Sequence, residues 1–152
     1  MSITETEVKP DIRVGVLGIG SMGRHHVRNA RAVEGLDLVA VADPGGDRFG
    51  VAGDLEVLPS VDALIDAGIV AVPTVYHEEA ALKLAEAGVH TLIEKPLSDS
   101  VESGQKITDA FEAAGLVGAV GYVERCNPAL LEMRKRIQEG QLGQVYQVVT
   151  KR

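Results

Sequence analysis

Residues 12–23 read I-R-V-G-V-L-G-I-G-S-M-G. An apolar, β-branched run over 12–17 stops at a glycine, and G-x-G-x-x-G follows over 18–23. The run has the composition of a buried strand. Beyond it Met22, Val27, Ala30 and Val33 recur at helical spacing, so the glycines occupy a strand-to-helix turn. In that context each glycine has a separate use. Gly18 permits the tight turn, Gly20 lets the loop amides (those of Ile19, Ser21 and Met22 among them) approach a pyrophosphate, and Gly23 lets the helix pack on the strand. The helix start adds free N–H groups and a partial positive charge. The bland reading of the same residues is a flexible strand-to-helix turn.

The pattern repeats outward from this turn. Strand-like runs at 36–42, 69–72, 89–93 and 116–121 alternate with helix-like segments at 60–66, 78–87, 101–114 and 128–139, and 44–50 forms a loop. Strands that are apolar throughout, separated by helices, predict an α/β fold with a doubly wound parallel sheet covered on both faces. Ligands of such sheets bind beyond the carboxyl ends of the strands. Those ends are Gly18, Asp43, Pro73, Glu94 and Gly121.

Asp43 stands twenty residues past Gly23, at the end of the second strand. A carboxylate there accepts hydrogen bonds from both adenosine-ribose hydroxyls and repels a 2′-phosphate, which favours NAD over NADP. Arg48 nearby offsets part of that preference. The competing reading is an Asp that caps the turn with Pro44. Glu94, Lys95 and Pro96 raise a second question, because they end the buried run V-H-T-L-I. Either the two charges neutralise each other, or they face a cleft.

Composition excludes several classes. The 152 residues suffice for a domain with a core. Aromatics are 3% and the net charge is −7, which argues against stacking on or neutralising a nucleic acid. No apolar run approaches the ~18 residues of a membrane helix, so no membrane partner is expected. Cys126 is the single cysteine, and no metal site is expected. Residues 1–10 are polar and acidic, without a signal-peptide core, and read as a disordered lead-in to a cytoplasmic protein.

Four motifs stand in order after the expected strands: G-I-G-S-M-G-R-H-H, A-V-P-T-V-Y-H (71–77), E-K-P (94–96) and G-Y-V-E-R-C-N-P (121–128). Together they closely resemble the amino-terminal half of the glucose–fructose oxidoreductase / inositol dehydrogenase family. The last motif is most similar to members acting on UDP-N-acetyl-hexosamines or their uronates. The resemblance implies a Rossmann domain over 11–140 that binds NAD. It implies that Lys95 contacts the reacting hydroxyl and the nicotinamide ribose, that Glu94 contacts the cofactor, and that the bond before Pro96 is cis. It further implies that Pro73 and Thr74 pass beneath the nicotinamide ribose, that His77 lines the same cleft, and that Arg125 and Asn127 lie beside cofactor and substrate. The competing reading of those last two is local capping by Asn127 and a solvated Arg125. His26 also matches a family position, with packing as its expected role. Cys126 replaces the aromatic residue usual in the family.

Relatives of this family run to about twice this length. By that resemblance, residues 141–152 begin the first strand of an α+β domain. That domain carries the substrate pocket, an aspartate–histidine pair with the general base, and the surface through which the parent forms a homo-oligomer. The expected function is therefore that of the NAD-binding domain of a sugar or nucleotide-sugar dehydrogenase. The alternatives are a dinucleotide-binding sensor without turnover, or the same fold acting on an imine or a tetrapyrrole.

Overall fold

The computed structural model describes residues 11–60 and 65–150. These fall into two compact units, one ending at Gly121 and the other starting at Tyr122. The division comes earlier than the expected 140/141.

The first unit is built on six parallel strands: β1 (Ile12–Leu17), β2 (Leu36–Ala42), β3 (Val57–Leu58), β4 (Ala67–Val70), β5 (His90–Ile93) and β6 (Gly118–Val120). Their spatial order is β3-β2-β1-β4-β5-β6. The chain winds outward from β1 to β3, then returns to β4 on the other side of β1. That reversal opens a crevice at the carboxyl ends of β1 and β4. Helices α1 (Gly23–Ala32), α2 (His77–Glu86) and α3 (Val101–Ala113) cover the sheet.

The strands read as unbroken apolar runs because both faces are packed. On one face Val16 and Val41 meet Val27 of α1, with Ile19 and Ala52. On the other, Val70 and Ile93 meet Ala81 and Leu84 of α2 and Ile107 and Phe111 of α3. Neighbouring residues such as Val16 and Leu17, or Ile69 and Val70, supply opposite faces, as the period of two requires. The start of α3 is fixed by Ser100, whose hydroxyl accepts from the Ser103 amide at 3.1 Å.

Several boundaries differ from the sequence reading. Expected over 69–72, β4 occupies Ala67–Val70, because its ladder with β1 pairs Val14 through Leu17 with Ala67 through Val70. Residues 71–73 are thereby released to the site. The short edge strand β3 went unforeseen, since two residues carry no periodicity. The helix expected over 60–66 falls largely on 61–64, and the lead-in on 1–10, both outside the described residues. In the second unit a 3₁₀ turn, Val123–Cys126, precedes α4 (Pro128–Gln138). Residues 145–150, expected to open a strand, form none. A strand needs a partner for its N–H and C=O groups, and no described segment offers one.

Candidate functional site: a dinucleotide cradle at the strand ends

The glycine loop divides its labour as its spacing predicts. Gly18 adopts φ +82°, and a Cβ there would lie 2.7 Å from the backbone of Ala71 and Val72. A Cβ on Gly23 would lie 1.7 Å from the Gly18 carbonyl oxygen, so the helix start packs directly on the loop. Gly20 is different: a Cβ there would meet nothing within 4 Å. Packing explains the outer glycines, and open space surrounds the middle one.

The amides divide likewise. Gly18 donates to the Ala42 carbonyl at 2.7 Å, and Ile19 to Asp43 Oδ2 at 3.0 Å. Ile19 is buried in the core, so it fastens the loop and offers no free amide to a ligand, contrary to expectation. The amides of Gly20, Ser21, Met22 and Gly23 have no hydrogen-bond partner among the described residues. The first turn of α1 has no acidic residue and no side-chain cap. Unfilled donors at the positive end of a helix dipole make an anion site.

Asp43 is held from both sides, Oδ2 by Ile19 and Oδ1 by the Gly45 amide at 2.7 Å. Each oxygen keeps a further lone pair for a hydroxyl donor. Turn capping is what the structure shows, and it leaves the carboxylate able to accept from a hydroxyl as well. Two hollows, of about 430 and 450 Å³, share Gly18, Asp43, Pro44, Arg48, Val72 and Pro73 in their walls. The smaller is closed by Ile19, Gly20, Ser21 and Met22. Asp47 fastens the wall carrying Arg48 and Phe49 by accepting from the Ala52 amide at 2.7 Å, which draws its carboxyl below the usual range. An elongated ligand with a diphosphate at its centre and a ribose at Asp43 fits these residues.

The E-K-P segment resolves its own question. Glu94 and Lys95 do not neutralise each other. Glu94 is 5% exposed, and Oε1 accepts from His26 Nε2 at 2.8 Å while Oε2 accepts the Lys95 amide at 3.1 Å. Glu94 is thus an internal anchor that ties α1 to the backbone of Lys95. The Lys95 side chain is exposed and makes no ion pair among the described residues. The Lys95–Pro96 peptide is cis, as the resemblance implies.

His77 also departs from expectation. It is buried, with Nε2 2.9 Å from the Val72 carbonyl and Nδ1 3.0 Å and 3.3 Å from those of Pro96 and Leu97. It joins two loops instead of lining the cleft. Pro73 and Thr74 lie on the loop after β4, Pro73 against both hollows and Thr74 opening the 3₁₀ turn Thr74–Tyr76. Arg125 is exposed on the turn Val123–Cys126 of the second unit. There Asn127 caps α4 by accepting the Ala129 amide at 3.0 Å, the local reading. The residue whose part was underestimated is His26. Its signal was spacing: Gly23, His26, Val27 and Ala30 share one face of α1, the face turned to the sheet.

A parallel sheet in this order, with an uncapped helix start after its first strand and a carboxylate ending its second, defines a dinucleotide-binding domain. The comparison with protein families makes this specific. The model described as "Oxidoreductase family, NAD-binding Rossmann fold" matches residues 12–122, and the chain belongs to this family, Gfo/Idh/MocA. The scyllo-inositol 2-dehydrogenase (NAD(+)) of Bacillus subtilis is 35% identical over 144 residues, covering 87% of this chain and 42% of that protein. The UDP-N-acetylglucosamine 3-dehydrogenase of Acidithiobacillus ferrooxidans is 35% identical over 130 residues, covering 82% of this chain and 41% of its own length. A solved structure of the WlbA dehydrogenase from Bordetella pertussis, in complex with NADH and UDP-GlcNAcA, matches with a TM-score of 0.83 at 26% identity, over 91% of this chain and 42% of that one. The chain thus spans less than half the length of these relatives. Among the described residues no helix is long and apolar enough to cross a membrane.

Proposed function

We propose that the chain is the cofactor-holding part of an NAD-dependent dehydrogenase that oxidises a ring carbinol of an inositol, a sugar or a UDP-sugar. The amides of residues 20–23 hold the diphosphate, Asp43 holds the adenosine ribose, and Pro73 and Thr74 flank the nicotinamide ribose. NAD, when bound, supplies the hydride acceptor. Lys95 places its ammonium against the carbinol oxygen and stabilises the negative charge that develops as the proton leaves. The general base and the substrate pocket belong to residues beyond this chain.

The observation that carries this reading is the state of residues 94–97. The Glu94 carboxylate takes His26 and the Lys95 amide, the His77 ring meets the carbonyls of Pro96 and Leu97, and the Lys95 ammonium itself is exposed and makes no ion pair among the described residues. A surface cation without a task needs no such foundation. A sensor that only bound NAD would have no use for it, which favours the enzyme. The test is Lys95→Met in the longer protein that contains this domain, assayed with UDP-N-acetylglucosamine, its uronate and myo-inositol. Turnover falls by about 10²–10³-fold, while NADH still binds. Undiminished turnover in Lys95→Met contradicts the assignment.

A further inference from the structure

Glu94 invites the question of why a carboxylate is buried there at all. An apolar side chain would fill the end of β5 without the desolvation penalty of a charge. The neighbouring strand end is shaped for the carboxylate: a Cβ on Gly121 would lie 3.2 Å from Glu94 Cδ and Oε1. One oxygen takes the His26 ring N–H from α1, the helix that opens at the glycine loop. The other takes the amide of Lys95. The link therefore runs from the helix that faces the diphosphate to the backbone atom directly behind the reactive side chain. From the opposite side the His77 ring meets the carbonyls of Pro96 and Leu97.

We infer that His26 is a positioning residue for Lys95, acting through the Glu94 carboxylate. The inference rests on the reading of Lys95 as the group beside the nicotinamide. His26 touches no reacting atom. Its N–H fixes the rotamer of Glu94, and Glu94 in turn fixes the peptide plane from which the Lys95 side chain departs. Without the histidine the carboxylate loses its partner at Oε1, turns toward water, and releases the Lys95 amide.

The test uses the 152-residue chain, labelled with ¹⁵N, and follows the Lys95 amide by NMR with and without NADH. Three variants separate the roles: His26→Leu removes the donor, His26→Gln restores one, and Glu94→Gln leaves one acceptor for two donors. In His26→Leu the Lys95 amide exchanges with solvent about tenfold faster or more, the loss expected for a hydrogen bond to a charged group. Amides of the β1–β2 ladder keep their rates, and His26→Gln recovers most of the protection. Should His26→Leu not fold, Glu94→Gln is expected to show the same local rise. Unchanged exchange at Lys95 in a folded variant overturns the inference, as does a rise spread evenly over the whole sheet. NADH separates the two levels of the argument. If it moves no resonance of 94–97 in the unmutated chain, the reading of Lys95 fails and the inference fails with it. If it moves them, but His26→Leu leaves Lys95 untouched, the positioning role alone is lost.

Discussion

A methyl group added at Gly23 would collide with the Gly18 carbonyl oxygen, whereas one added at Gly20 would meet no atom of the fold. The two glycines answer to different constraints, and the difference can be measured. Gly23→Ala forces the helix start off the loop and destabilises the domain by about 1–3 kcal/mol, the usual cost of overpacking, which a denaturant melt will show. Gly20→Ala leaves the melt unchanged and weakens NADH binding by about tenfold or more, because the methyl occupies the path to the amides. Asp43→Ala combines both effects. It removes the ribose acceptor, weakening NADH binding by about 1–3 kcal/mol, and it frees the Ile19 and Gly45 amides. Fluorescence titration and melting should therefore both show a loss. A melting loss with NADH affinity unchanged would leave Asp43 as a turn cap only. At this scale the placement of the glycine loop and of Asp43 at neighbouring strand ends was legible, because G-x-G-x-x-G and a carboxylate twenty residues on are patterns the sequence displays directly. The ties of Glu94 to His26 and of His77 to Pro96 were not, since they join positions 68 and 19 residues apart through tertiary packing, with no motif to mark the pairing.

Strands β1 and β4 carry the crevice, and their opposite ends are pinned together. Arg13 donates to Asp66 through its backbone N–H and its guanidinium, at 2.8 to 3.1 Å, and the Asp66 amide returns a bond to the Arg13 carbonyl. The guanidinium hydrogen bond is the largest cause that draws the Asp66 carboxyl down to about 2 from an ordinary value of 3.8. A carboxyl with a depressed folded pKa stabilises the fold fully above its unfolded value, and that contribution fades as pH falls through the folded one. The stability gap between the native chain and Asp66→Asn is therefore constant above about pH 5 and closes between about pH 4 and pH 2. Denaturant melts across that range test it, and a gap that widens on acidification would contradict the pairing. Among the elements, strand and helix order was readable from alternation, and the ends of α2 and α3 from Gly88 and Gly115. The two-residue shift of β4 was not, because pairing with β1 and not local composition sets where it stops.

Taken whole, the first unit is that of an NAD-binding family, and the residues proposed to hold the cofactor come from four of its six strand ends. The glycine loop follows β1, Asp43 follows β2, the Pro73 loop follows β4 and Lys95 follows β5. Topology gathers residues that sequence leaves as much as 77 positions apart, counting from Gly18 to Lys95. Substrate choice was less legible. Inositol and UDP-sugar dehydrogenases are about equally similar to this chain. The account rests on the amides of residues 20–23 receiving a diphosphate. A crystal structure of the chain grown with NAD tests this most directly. The account predicts pyrophosphate oxygens within hydrogen-bond distance of those amides and both adenosine-ribose hydroxyls on Asp43. A dinucleotide seated elsewhere, or at the crevice with those four amides still unfilled, would contradict it.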